Sequence, residues 1–162
     1  TMATIQSIGV IGAGQMGCGI AHVCAAAGYK VHLYDLSRDR IEAGLATING
    51  NLARQVSNGK LSDDERKAAL SRISGSADLN DLAPVDLAIE AATEEEAVKR
   101  KIYAQLCPIL KPEALLATNT DRGLHAISSN APSSMRVPMI LERYISSTSP
   151  CATKAIAARC TT

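Results

Sequence analysis

The sequence predicts an α/β fold, a doubly wound and mostly parallel sheet with helices on both faces. Three observations predict it. An apolar run, Ile8-Gly9-Val10-Ile11, passes directly into Gly12-Ala13-Gly14-Gln15-Met16-Gly17 and then into a helix pattern of small residues. Strand-like apolar runs go on alternating with helical segments as far as Thr120, the order in which parallel strands joined by right-handed crossovers are laid down. Residues suited to ligand binding fall at the carboxyl ends of those runs, where such sheets hold their ligands.

Ile5 to Ile11 is rich in Ile and Val without the alternation of a half-exposed strand, and reads as a buried first strand. The glycine turn follows. Gly12 allows the tight exit, Gly14 lets backbone approach a phosphate without a Cβ in the way, and Gly17 lets the helix pack close to the sheet. Free N–H groups at the helix start, with the positive end of the helix dipole behind them, suit a diphosphate. The helix is expected over Gln15 to Ala27, closed by Gly28. His22 and Cys24 read as packing residues within it.

Lys30 to Asp35 is the second strand, and its last residue is an acid 18 positions after Gly17. That matches the offset of about 20 residues at which a carboxylate takes the ribose hydroxyls of a dinucleotide. A carboxylate accepts from a 2′-hydroxyl and repels a 2′-phosphate, so the cofactor expected is NAD rather than NADP, with Arg38 close enough to complicate the choice. Together these features specify a Rossmann-type arrangement.

Ser37 is the expected N-cap of a helix from Asp39 to Val56 that Asn58-Gly59 stops, and Ser62-Asp63-Asp64-Glu65 is a capping box opening a second helix to about Arg72. Arg72 to Gly75 suggests a short third strand, and turn signals follow around Leu82. Val85 to Ala91 is the fourth strand. A helix from near Glu94 through Lys99, Tyr103 and Leu106 runs until Pro108 disturbs it, and Leu115 to Thr120 is the fifth strand, with Asn119 at its polar end.

Composition narrows the function. In 162 residues, 17 Lys and Arg balance 16 Asp and Glu, so no broad field draws nucleic acid or anionic lipid. The opening residues lack a basic leader pattern, and no apolar run approaches the roughly 20 residues of a membrane span, so a cytoplasmic location is expected. The five cysteines form no CxxC pair and stand beside no histidine at ligand spacing, which points to reduced thiols and no metal site.

Ile8 to Ala21, Tyr34-Asp35, the segment Ala88-Ile89-Glu90-Ala91-Ala92-Thr93-Glu94 with Lys99, and Ala117-Thr118-Asn119-Thr120 resemble the N-terminal domain of 3-hydroxyacyl-CoA dehydrogenases, with the bacterial 3-hydroxybutyryl-CoA enzymes most similar. The resemblance implies that Gly12, Ala13, Gly14, Gln15, Met16 and Gly17 hold the pyrophosphate of NAD and Asp35 its ribose. Glu94, Lys99 and Asn119 would lie along the nicotinamide half. It also implies an acyl-CoA substrate, fatty-acid metabolism, hydride transfer at C3 and a histidine, oriented by a glutamate, that handles the hydroxyl proton.

After Thr120 the resemblance stops. The family continues Asn-Thr-Ser-Ser where this chain has Asn119-Thr120-Asp121-Arg122, and its Gly-x-His-Phe-x-Asn-Pro segment cannot occur in a sequence without Phe. His125 comes too early to replace that histidine, so no catalytic residue is assigned. Residues 1–120 are expected to form the NAD-binding domain, and 121–162 an atypical tail that is either out of frame with it or disordered. On this reading the chain is truncated, keeps cofactor binding, and lacks the catalytic His-Glu pair and the C-terminal domain through which family members form homodimers. Two other readings stay open: a non-catalytic dinucleotide-binding module, and a dehydrogenase of a different β-hydroxy acid. The Glu90 to Lys99 segment favours the acyl-CoA family.

Overall fold

The computed structural model describes residues 4–118 and the strand Ile156–Arg159. The elements run β1 (Ser7–Ile11), α1 (Gln15–Ala26), β2 (Lys30–Tyr34), α2 (Arg38–Ser57), α3 (Asp63–Ser71), β3 (Ile73–Ser76), a 3-10 turn (Leu79–Leu82), β4 (Leu87–Glu90), α4 (Glu96–Leu106), β5 (Leu115–Thr118) and β6 (Ile156–Arg159). They build one sheet of order β3-β2-β1-β4-β5-β6. Strands β1 to β5 pair in parallel, and β6 runs antiparallel to β5 with Leu115 opposite Arg159. This is the doubly wound order, with the direction of winding reversing between β1 and β4.

Each helix forms for reasons visible in its sequence. Ser37 accepts from the Arg40 amide at 3.3 Å and so caps α2, while Ser62 and Glu65 exchange bonds with one another's backbone at the start of α3. Helix α1 buries Gly17, Cys18, Ala21 and Ala25, a narrow stripe that lets it lie close to the sheet. One face of the sheet is covered by α1, α2 and α3 around Val10, Leu33, Ile48 and Leu52; the other packs Ile11, Ala88 and Leu116 against Tyr103 and Leu106 of α4. With no Phe or Trp in the sequence, branched aliphatics and alanines fill both cores.

Several boundaries differ from expectation, among them the fourth strand, which covers Leu87–Glu90 rather than Val85 to Ala91. The first strand begins at Ser7 rather than Ile5, and α4 begins at Glu96 rather than Glu94, because the Thr93 hydroxyl accepts from the Glu95 amide at 3.0 Å and delays the helix. The segment read as turns around Leu82 is a 3-10 helix capped by Asp78 that buries Leu82. Cys18 and Cys24 are free thiols, whereas Cys107 is disulfide-bonded: an odd cysteine count forbids a complete set of bridges but not a single one.

At the amino ends of the strands, Asp86 accepts from the Gln6 and Ser7 amides at 2.8 and 3.0 Å and from Lys111. Burial raises its pKa, but the bonds from Lys111 and from those amides outweigh burial and hold the carboxyl well below the usual range. That end of the sheet is therefore clasped. The carboxyl end is left for a ligand.

Candidate functional site

At the carboxyl end of β1 the chain turns through Gly12, whose φ of +107° disfavours any residue with a Cβ; one built there would also lie 2.7 Å from Ala92 Cα. Gly17 is equally constrained. A Cβ on it would sit 1.7 Å from the Gly12 carbonyl oxygen, so α1 can approach the turn only with glycine at that position. Gly14 is the opposite case, because a Cβ there meets nothing within 4 Å. It is the N-cap of α1 with no side-chain cap and no acidic residue in the first turn. The helix start thus presents its amides and its positive dipole to open space.

Asp35 follows β2 and turns its carboxylate back toward this turn. One oxygen accepts from the Ala13 amide at 2.9 Å and the other from the Ser37 amide at 3.0 Å, while Arg40 stands 4.0 Å away. The Ala13 peptide is held from its other end as well, since the Cys18 thiol donates to the Ala13 carbonyl at 3.3 Å. Burial, and then the charge of Asp35, push the Cys18 thiol up and keep it protonated as that donor. Leu36, next to Asp35, is 85% exposed beside this pocket edge.

On the other side of the switch point lies a cavity of about 330 Å³ lined by Met16, Glu90, Ala91, Ala92, Thr93, Glu94 and Lys99. Its floor is a fully buried polar cluster. Glu90, 0% exposed, accepts from the Ala92 and Thr93 amides at 2.8 and 3.2 Å through one oxygen; the other takes the Thr118 hydroxyl at 2.9 Å and the Lys99 ammonium at 3.1 Å. Lys99 also donates to Thr118 Oγ1 at 3.2 Å. Burial raises the Tyr103 phenol to about 12, and it too hydrogen-bonds Thr118 and Glu90.

Of the residues singled out in the sequence, Gly12, Ala13, Gly14, Gln15, Met16, Gly17 and Asp35 converge on one turn. Glu94 lies exposed at the cavity mouth and Lys99 is buried at its floor. Asn119 lies outside the described residues, as do His125 and the apolar residues from Met135 to Leu141. Glu90, Thr118 and Tyr103 were not singled out. The available signal was a charged residue inside the apolar run Leu87-Ala88-Ile89-Glu90-Ala91, because a carboxylate in a strand covered on both faces must find a partner. Among the described residues no cluster could hold a metal ion.

A family model described as the NAD-binding domain of 3-hydroxyacyl-CoA dehydrogenase matches residues 7–138, a range that runs past Thr120. The 3-hydroxybutyryl-CoA dehydrogenase of Bradyrhizobium diazoefficiens is 58% identical over 118 residues, which cover 73% of this chain and 40% of that protein. Among solved structures, FadB2 of Mycobacterium tuberculosis superposes with a TM-score of 0.71 at 46% identity, covering 73% of this chain and 42% of its own. The (S)-3-hydroxybutyryl-CoA dehydrogenase of Ralstonia eutropha has the same TM-score at 39% identity, with 72% and 41% covered. This chain spans about two fifths of the length of the relatives it matches.

Proposed function

Because the chain belongs to the 3-hydroxyacyl-CoA dehydrogenases, matching their NAD-binding domain, we propose that it seats NAD at the switch point between β1 and β4. The protein it belongs to would act there on the 3-hydroxyl or 3-keto group of a short acyl-CoA such as 3-hydroxybutyryl-CoA. One observation carries this reading: the open face of Gly14 at the uncapped start of α1 lies beside a carboxylate that is tied to the same turn through Ala13.

On this reading the turn from Gly12 to Gly17 holds the diphosphate through the amides at the start of α1, those of Gly12 and Ala13 being given to the Tyr34 carbonyl and the Asp35 carboxylate. Asp35 accepts from the adenosine ribose and repels a 2′-phosphate, which selects NAD over NADP. Glu94, Lys99 and Asn119 border the nicotinamide half. Bound there, the cofactor accepts or delivers the hydride, which no side chain can do. The chain's own contribution is to fix the ring end of the crevice and to keep water from its floor. No described residue is placed as the acid or base for the substrate hydroxyl, and we assign none. Residues 1–120 form the cofactor unit in this proposal and 121–162 a distinct tail, with the family's dimer contacts in the length this chain does not span. No helix among the described residues is long and apolar enough to cross a membrane, and the cytoplasm is the compartment proposed.

Calorimetric titration tests the reading. NADH is expected to bind and NADPH to bind at least about tenfold more weakly, a difference of about 1.4 kcal/mol. No heat from NADH under saturating conditions would refute it. With NAD and 3-hydroxybutyryl-CoA the 162-residue chain is expected to produce no NADH above background, and steady turnover would show that it carries its own proton-handling group.

A further inference from the structure

We infer that Glu90 is a positioning residue for the nicotinamide end of the crevice: its buried carboxylate sets both the Ala91–Thr93 turn and the Lys99 ammonium against which the cofactor rests. The inference stands on the dinucleotide reading and adds a residue to it. Glu90 ends β4 opposite Ile11 of β1 and Thr118 of β5, so it occupies the last rung of the two central strand pairs. Its two oxygens take the Ala92 and Thr93 amides, the Thr118 hydroxyl, the Lys99 ammonium and the Tyr103 hydroxyl.

Stability alone does not account for the pair. Burying a carboxylate and an ammonium costs several kcal/mol of solvation each, and apolar side chains of similar volume often fill such a site as well or better. The pair lies where the cavity is, with both residues in its lining. The turn it holds also touches the phosphate turn, since a Cβ on Gly12 would meet Ala92 Cα and the Ala91 carbonyl within 3 Å. Tyr103 from α4 and Thr118 from β5 close the cluster from the remaining sides.

The test compares NADH with ADP, which ends at the diphosphate and does not reach this turn. In Glu90→Gln the amide oxygen can still accept from Ala92 and Thr93, but Lys99 loses its counter-charge. The variant is expected to bind NADH at least tenfold more weakly than the unaltered chain while its ADP affinity stays within twofold. Should Glu90→Gln fail to fold, Thr118→Val removes the hydroxyl that bridges the pair and is expected to lower NADH affinity about threefold, again sparing ADP. Unchanged NADH binding, or equal loss of NADH and ADP, would overturn the inference and leave the dinucleotide site intact. Failure of the unaltered chain to bind either nucleotide would remove both.

Discussion

The Asp35 carboxylate accepts a hydrogen bond from the Ala13 amide at 2.9 Å and so ties the end of β2 to the turn that leaves β1. The group proposed to choose the cofactor also shapes the turn proposed to hold its phosphates. Asp35→Ala is therefore expected to act twice, weakening NADH by about tenfold or more and narrowing the preference over NADPH. Arg40, 4.0 Å from the carboxylate, remains to meet a 2′-phosphate. Paired titrations with NADH and NADPH check both effects, and an unchanged ratio would mean that Asp35 does not face the ribose.

Gly14 and Gly17 should separate binding from folding. Gly17→Ala places a methyl 1.7 Å from the Gly12 oxygen and must displace backbone, so thermal melting is expected to show a loss of about 2 kcal/mol or more together with lost NADH binding. Gly14→Ala meets nothing in the protein and should melt within about 1 kcal/mol of the unaltered chain, yet bind NADH poorly, because its methyl enters the space left for phosphate.

Asp86 gives the fold an acid limit. Its folded pKa lies below the unfolded value near 3.9, so the stability it contributes is present above that value and is lost as pH falls toward the folded one. Urea unfolding from pH 7 down to pH 2.5 should show that loss below about pH 4. Asp86→Asn is expected to cost about 1–3 kcal/mol at pH 7 and to flatten the acid limb, since it weakens the bonds to Gln6, Ser7 and Lys111.

Cys18 and Cys24, the free thiols among the described residues, should be quiet in the folded protein. Burial lifts Cys24 to about 11 and raises Cys18 as well, so neither offers much thiolate at pH 8. Timed alkylation followed by mass spectrometry should find both modified at least tenfold more slowly in buffer than in urea, and equal rates would contradict the packing of α1.

What could be read along the chain was what is local. The spacing from Gly12 to Gly17 to Asp35, the Ser37 cap and the Ser62–Glu65 box each depend on residues a turn or a strand apart, and all appear where the pattern put them. Glu90 was not legible, because its burial is decided by Lys99 nine positions on and Thr118 twenty-eight positions on, brought together only when β4 and β5 pair. The late start of α4 was hidden for a smaller reason. Glutamates at a helix start suit the dipole equally well in either register, and the Thr93 hydroxyl broke the tie. The edge strand β6 comes from an alanine-rich stretch, Ile156-Ala157-Ala158-Arg159, and alanine is a weak strand former.

Strand β1 precedes its partners in the chain and is also a central one, and this sets a timetable for the nascent chain. Ile8 can pair with Val31 early, but its other neighbour is Leu87, 79 positions later. At about 5–20 residues per second, the exposed side of β1 waits on the order of 4–16 s on the ribosome for β4 to emerge. The phosphate turn is thus made well before the strand that completes its crevice, and during that interval an apolar strand edge is open to whatever chaperone or stray chain reaches it first.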